Sequence, residues 1–380
     1  MNRRERLMAT VQGGPVDRPA VSFYEINGLD ERPGNPDPFN IYSHPSWQPL
    51  LDLAREKTDR IVMRGVPFDN APPDPLDSLT QSRTTVEAGC RRTVQTVTIG
   101  HRTLTARTRR DIDVNTVWTE EHLLKDVDDL AAYLSAPAQQ FGGTPHVAHV
   151  LDAETALGDT GIVMIDTADP LCLAAQLFSM AEYTVIAMTE PRLFRQLLDR
   201  FASFLLSRTE AVAKALPGRL WRIYGPEYAS PPYLPPRLFR EYVCAYVTPM
   251  INSIKRYGGY ARVHCHGRLH DILDDIAAMG ADGLDPVEPP PQGDVELRYV
   301  RERYGRQMVL FGNLEVSDIE TLPTNLFAEK VRRALDEGTR GAGRGFVLMP
   351  SACPYGREVQ PLTLRNYETI IGCVERVWSG

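Results

Sequence analysis

The stretch GYARVHCHGRLHDILDDIAAMGADGLD, residues 259–285, decides how the chain is read. Tyr260–His264 is a short apolar run, Leu269–Met279 has the spacing of an amphipathic helix, and Asp282–Leu284 is a second short apolar run. The same alternation continues outward in both directions. Upstream lie the candidate strands Ala20–Tyr24, Arg60–Arg64, Gly161–Ile165 and Leu220–Tyr224, and downstream Met308–Phe311 and Gly345–Met349. Most are rich in Val, Ile, Leu and Phe, as expected of parallel strands covered on both faces. Segments of helical period lie between them: Phe194–Ala215, with Leu197, Leu198, Phe201, Phe204 and Leu205 on one face, then Leu238–Arg256, Leu326–Leu335 and Leu364–Trp378. Eight strands alternating with helices predict an α/β chain closed into a (β/α)8 TIM barrel. An open doubly wound sheet is the competing arrangement, but no GxGxxG fingerprint follows an early strand.

At 380 residues one barrel with an N-terminal extension accounts for the whole chain, so a single domain over 1–380 is expected. An insertion at about 80–140 interrupts the alternation after the second strand. Within it, Arg91–Arg109 alternates around Gly100-His101 (Val94, Thr96, Val97, Ile99, then Thr103 and Thr105), which predicts an antiparallel hairpin capping one end of the barrel. The net charge of −7 gives no reason to expect nucleic acid, which needs a basic surface. No apolar run approaches the roughly 20 residues that span a bilayer, and the charged start, Met1 to Arg6, does not read as a secretory signal. Cytoplasm is the expected compartment. The six cysteines are scattered without CxxC pairs and read as reduced thiols.

In a barrel of this kind reactive groups sit where strands end and the following loops begin. At those points stand Glu25, Asp166, Glu227, His264 and His266, Asp285 and Glu288, Asn313 and Glu315, and Cys353. Side chains two apart on a strand point the same way, so His264 and His266 are expected to share a direction while Cys265 faces the helices. With Cys353 from the last strand, the two imidazoles would make a zinc site with one position open for substrate. The same two histidines also suit a hydrogen-bonded pair or a substrate anchor. Glu227 and Glu288 suit a metal ligand or a proton shuttle, or equally loop hydrogen bonding. His146, His149 and His270 read as structural or surface residues. There is no GxSxG elbow and no GxxxxGK[ST] loop.

Several of these segments, in this order, resemble the uroporphyrinogen decarboxylase superfamily. They are Arg4-Glu5-Arg6-Leu7 with Pro15-Val16-Asp17-Arg18-Pro19, the stretch from Ile165 to Arg200 with Asp169-Pro170 and Glu190-Pro191, the run from Leu234 to Val243, Gly280–Asp285, and Gly312-Asn313-Leu314-Glu315. The resemblance implies the barrel. The true decarboxylases carry an arginine-rich RQAGRY-type motif near the first strand; here that place reads Phe23-Tyr24-Glu25-Ile26-Asn27, so tetrapyrrole decarboxylation is not what it implies. The other branch comprises zinc-dependent methyltransferases that work with corrinoid proteins, whose metal motif is H-x-C and a distant C. His264 matches its histidine and Cys353 its distant cysteine, while His266 stands in place of the first cysteine. The resemblance therefore implies a Zn2+-dependent methyltransferase, passing a methyl group between a small thiol, hydroxyl or methoxy compound and a corrinoid protein. Glu227, Asp166 and Glu288 would be catalytic, and Asp285, Asn313 and Glu25 would contact substrate. No DxHxxG-type motif is present, so cobalamin would arrive on a partner. A homodimer is also implied. The alternative is a metal-independent decarboxylase or lyase acting on a small carboxylated substrate, with Arg222 or Arg262 as its anchor.

Overall fold

The computed structural model of the chain describes residues 1–29 and 32–378. Eight parallel strands form one sheet: β1 (Ala20–Val21), β2 (Arg60–Arg64), β3 (Gly161–Ala168), β4 (Leu220–Tyr224), β5 (Tyr260–His264), β6 (Gly283–Asp285), β7 (Val309–Leu314) and β8 (Phe346–Pro350). From β2 to β8 each strand pairs with the next in the chain, and β8 pairs with β1. The gap between β1 and β2 is bridged by Asp59. Its N–H donates to the Val21 carbonyl at 2.7 Å, and its Oδ2 accepts the Val21 N–H at 2.9 Å. The sheet thus curls into a TIM-like barrel.

Strand alternation sorts the side chains into two layers. Tyr24, Met164, Phe311 and Met349 fill the barrel interior, and Leu7 and Val11 of the helix Arg3–Gln12 join that same cluster. The opposite faces, with Trp221, Ile223, Val263, Cys265, Leu284 and Leu348, pack under the surrounding helices against residues such as Leu197, Leu198, Ile254 and Val331. Each such leucine or valine stabilises the fold by roughly 1.5–3 kcal/mol through removal of apolar surface from water. The predicted helical face of Phe194–Ala215 lies within a helix spanning Pro191–Ala215, where Leu197, Leu198 and Leu205 are buried; Phe201 is half-buried. No helix among the described residues is long and apolar enough to cross a membrane.

The insertion departs from expectation. The hairpin is present, Ile99 pairing with Arg102 around Gly100-His101, and Gly100 adopts φ +60° as the tight turn requires. It is the centre of a four-stranded antiparallel sheet, Thr80–Glu87, Cys90–Ile99, Arg102–Asp111 and Val117–Glu121 in order. The first strand escapes a reading by periodicity because TQSRTTVE is polar throughout and almost wholly exposed. Backbone hydrogen bonds along the hairpin edge recruit it. Buried Val97, Ile99 and Leu104 anchor the sheet to the body, while Val86, Val117 and Trp118 at its far end stay exposed.

Candidate active site

The C-terminal ends of β3 to β7 place a dense polar cluster at one mouth of the barrel. His264, at the end of β5, is 4% exposed, and its Nδ1 lies 2.5 Å from Asp285 Oδ2 at the end of β6. The same oxygen accepts a hydrogen bond from Arg262 at 2.7 Å, and Arg262 and Asp285 are both fully buried. Burial opposes ionisation of Asp285, but Arg262 and His264 outweigh it and bring the carboxyl down to about 2. Burial pushes His264 down to about 3 against the pull of Asp285. At neutral pH the pair is therefore an aspartate accepting an Nδ1–H from a neutral imidazole, which leaves Nε2 with a free lone pair.

His266 makes a parallel arrangement whose shift runs the other way. Its Nδ1 lies 2.8 Å from Glu288 Oε1, and Glu288 Oε2 accepts the Gly267 N–H at 2.7 Å. Burial disfavours the imidazolium, yet the Glu288 hydrogen bond and charge more than offset this and raise His266 above its usual range. The two rings stand edge to face, with centroids 4.6 Å apart. Neither Nε2 has a hydrogen-bond partner among the described residues. One mouth thus holds a neutral imidazole beside one that favours its proton.

Glu227 sits in the loop after β4, where its Oε2 accepts the Gly225 N–H at 3.0 Å and burial raises its carboxyl. Gly225 has φ +120°, and a Cβ there would meet Asp169 Oδ1 at 2.3 Å, so only glycine lets the loop turn this way. Arg222 lies 3.7 Å from Asp166 and over the Tyr224 ring at 5.1 Å. Asp166, raised by burial, has an Oδ1 without a hydrogen-bond partner. Glu315 accepts one long bond, 3.3 Å from Ser351 Oγ, and burial together with the Glu288 charge lifts it to about 7.

The structure brings together His264, His266, Asp285, Glu288 and Glu227, but redistributes their expected roles. Asp285 has no exposed surface; it orients His264 instead of contacting substrate. Glu288 does the same for His266. Glu25 Oε2 accepts the Cys353 N–H at 2.5 Å and its Oε1 the Tyr24 hydroxyl at 3.1 Å, so it tethers the loop after β8. Asn313 lines a separate cleft with Glu315 and Lys330 behind the proline loop 289–291. Cys353 packs against the layer between strands and helices, and its thiol, pushed well up by burial, has Glu25 and Glu320 as its acidic neighbours. The strand ends at Pro350, so the inward alternation that would carry residue 353 to the mouth does not extend that far. Among the described residues no three His, Cys, Asp or Glu side chains converge to hold a metal ion. The three-ligand set implied by resemblance is thus not assembled, although two imidazoles fixed through Nδ1 by carboxylates would suit two of its positions.

Arg262 is central to the cluster, and its place two residues before His264 on the same strand is the signal for it: it shares the inward face. His146 bonds Asp69, His149 contacts the Gly65 carbonyl, and His270 is exposed, as expected of structural and surface histidines.

Residues 116–361, well over half of the chain, match the uroporphyrinogen decarboxylase (URO-D) family. The chain belongs to that family. Among solved structures, this URO-D family member resembles a methyltransferase from Methanosarcina mazei, with a TM-score of 0.60 and 15% identity over 100% of this chain and 99% of the other. At that identity the likeness speaks to fold. An IolI protein with a bound zinc atom aligns at a TM-score of 0.33 and 8% identity over 67% of this chain and 87% of its own, too low to support any argument. No curated protein matches the sequence.

Proposed function

We propose that this URO-D family member is a metal-independent lyase that moves protons at the His264–His266 pair of the barrel mouth, acting on a small carboxylated substrate. The observation that carries the reading is the geometry of two adjacent imidazoles, each fixed through Nδ1 by its own carboxylate and shifted in opposite directions, with neither Nε2 engaged among the described residues. His266, whose proton Glu288 helps to hold, donates it to the substrate as the substrate's bond breaks. His264, kept neutral by burial and oriented by Asp285, accepts a hydrogen bond from the substrate at Nε2. Arg262 is fully buried against Asp285, and Arg222 lies 3.7 Å from Asp166 with its Nε free of any hydrogen bond. Among the described residues the mouth thus offers Arg222 and not an exposed arginine cluster, which suits a substrate with few negative charges better than a polycarboxylate such as a tetrapyrrole.

A second reading, zinc-dependent methyl transfer with a corrinoid partner, is favoured by one feature. Carboxylates on both Nδ1 atoms are the usual outer support of metal-bound histidines. The two readings separate by metal content. Protein purified under reducing conditions without chelator, then incubated with small carboxylic acids in D2O with and without dipicolinate, is expected to contain far less than one zinc per chain. It should release product or incorporate deuterium equally in both arms, and His266→Gln should abolish this. Stoichiometric zinc together with chelator-sensitive turnover would overturn the proposal.

A further inference from the structure

We propose that the pocket beside His266 is a specificity site for a single-ring aromatic acid, its ring held by Tyr228, Tyr233 and Met180 and its carboxylate by Arg268. The inference rests on the acid–base reading only for which end of the ligand reacts. The pocket measures about 420 Å3 and lies between the Glu227–Tyr233 loop and the His266–Arg268 turn. That is near the lower end of the range of roughly 300–1,000 Å3 that holds small organic ligands. It has room for one ring with substituents.

The lining separates into two ends. His266 and Glu227, both partly buried, form the inner end, where the proton-transferring imidazole stands. Tyr233 is 44% exposed and Met180 38% exposed, and with Tyr228 they make an apolar wall completed by the stiff Pro231-Pro232 pair and Pro291. Large apolar side chains left in water around a concave wall gain by covering a flat apolar ligand, and tyrosine faces and a thioether both favour an aromatic one.

Charge fixes the other substituent. Glu288 is taken by His266, and Glu227 accepts the Gly225 N–H. Arg268, exposed at the rim, makes no hydrogen bond or ion pair among the described residues, unlike Arg222 and Arg262 deeper in the mouth. It is the guanidinium that lines this pocket unpaired among the described residues, at the end opposite the His266 imidazole, and a guanidinium grips a carboxylate through two parallel hydrogen bonds. A ligand with its carboxylate at Arg268 and its ring on the tyrosine wall presents the far side of the ring to His266.

The test is calorimetric titration of the full chain with benzoate, 4-hydroxybenzoate, benzamide and glutarate. Benzoate and 4-hydroxybenzoate are expected to bind, benzamide about tenfold more weakly for want of the charge-assisted pair, and the acyclic glutarate not measurably. Arg268→Gln should weaken benzoate about tenfold while leaving benzamide unchanged, and Tyr233→Ala should weaken both. Glutarate binding as tightly as benzoate, or an Arg268→Gln variant with unaltered benzoate affinity, would overturn the inference. Because binding is read without turnover, its failure is distinct from failure of the lyase reading, which zinc content and deuterium incorporation decide.

Discussion

Asp285 shows how much depends on one side chain. A single oxygen, Oδ2, serves both Arg262 and His264, and no part of the residue meets solvent. Removing the charge leaves Arg262 buried without a counter-ion, so Asp285→Asn is expected to cost about 3–5 kcal/mol, measured by urea unfolding at pH 7. The pH dependence follows from the direction of each shift. His264 folds with its pKa depressed to about 3, so the unfolded chain takes up this proton first as the solution is acidified. The contribution is complete above about pH 6.5 and is lost as pH falls from there toward 3, at a slope of up to about 1.4 kcal/mol per pH unit. Asp285, depressed to about 2, adds a further loss below about pH 4. In His264→Gln the slope between pH 6 and 4 should fall by about one proton; an unchanged slope would show that His264 is not held neutral.

At the scale of elements, the inserted sheet behaves as two halves. Its base is anchored by Val97, Ile99 and Leu104, each 9% exposed or less, and its far end projects Val86 at 58% and Trp118 at 53% into solvent. Leu104→Ala should therefore cost about 2–4 kcal/mol, since it empties a packed position. Val86→Ala should stay within about 0.5 kcal/mol. Chemical denaturation of both variants checks this, and equal effects would mean that the far end is covered in solution. The hairpin itself was legible because Val97 and Ile99 alternate with Thr96 and Thr98 around a glycine turn. The flanking strand was not, because a strand with polar side chains on both faces leaves no periodic trace. Its place is decided by the backbone donors and acceptors of the hairpin edge beside it.

For the whole molecule, closure of the barrel concentrates on Asp59. Its fully buried carboxylate meets Arg6 at 2.6 Å, Arg18 at 2.8 Å and the Val21 N–H at 2.9 Å, joining the N-terminal helix, the loop before β1 and the start of β2. Asp59→Ala takes from buried Arg6 one of its two carboxylates, Asp17 remaining, leaves half-buried Arg18 without its ion pair, and unpins the shortest strand. A loss of about 3–5 kcal/mol is expected, with increased amide exchange concentrated in residues 18–23. A variant as stable as the wild type would place barrel closure elsewhere.

The sequence by itself determined the barrel and the ring of polar residues at its mouth. Eight apolar runs recur with helices between them, and alternation along β5 is enough to turn Arg262 and His264 inward, with His266 just past the strand end beside them. These are local periodicities, set by the geometry of each element. What only the tertiary structure decided is which groups meet across strands. Asp285 and Glu288 each take one histidine, Glu25 is drawn away to the Cys353 backbone, and the Cys353 thiol turns toward the helices because β8 ends before the strand pattern reaches it. Such pairings depend on strand register and on where strands stop, and those are settled by the packing of distant segments against one another, which no stretch of sequence carries alone.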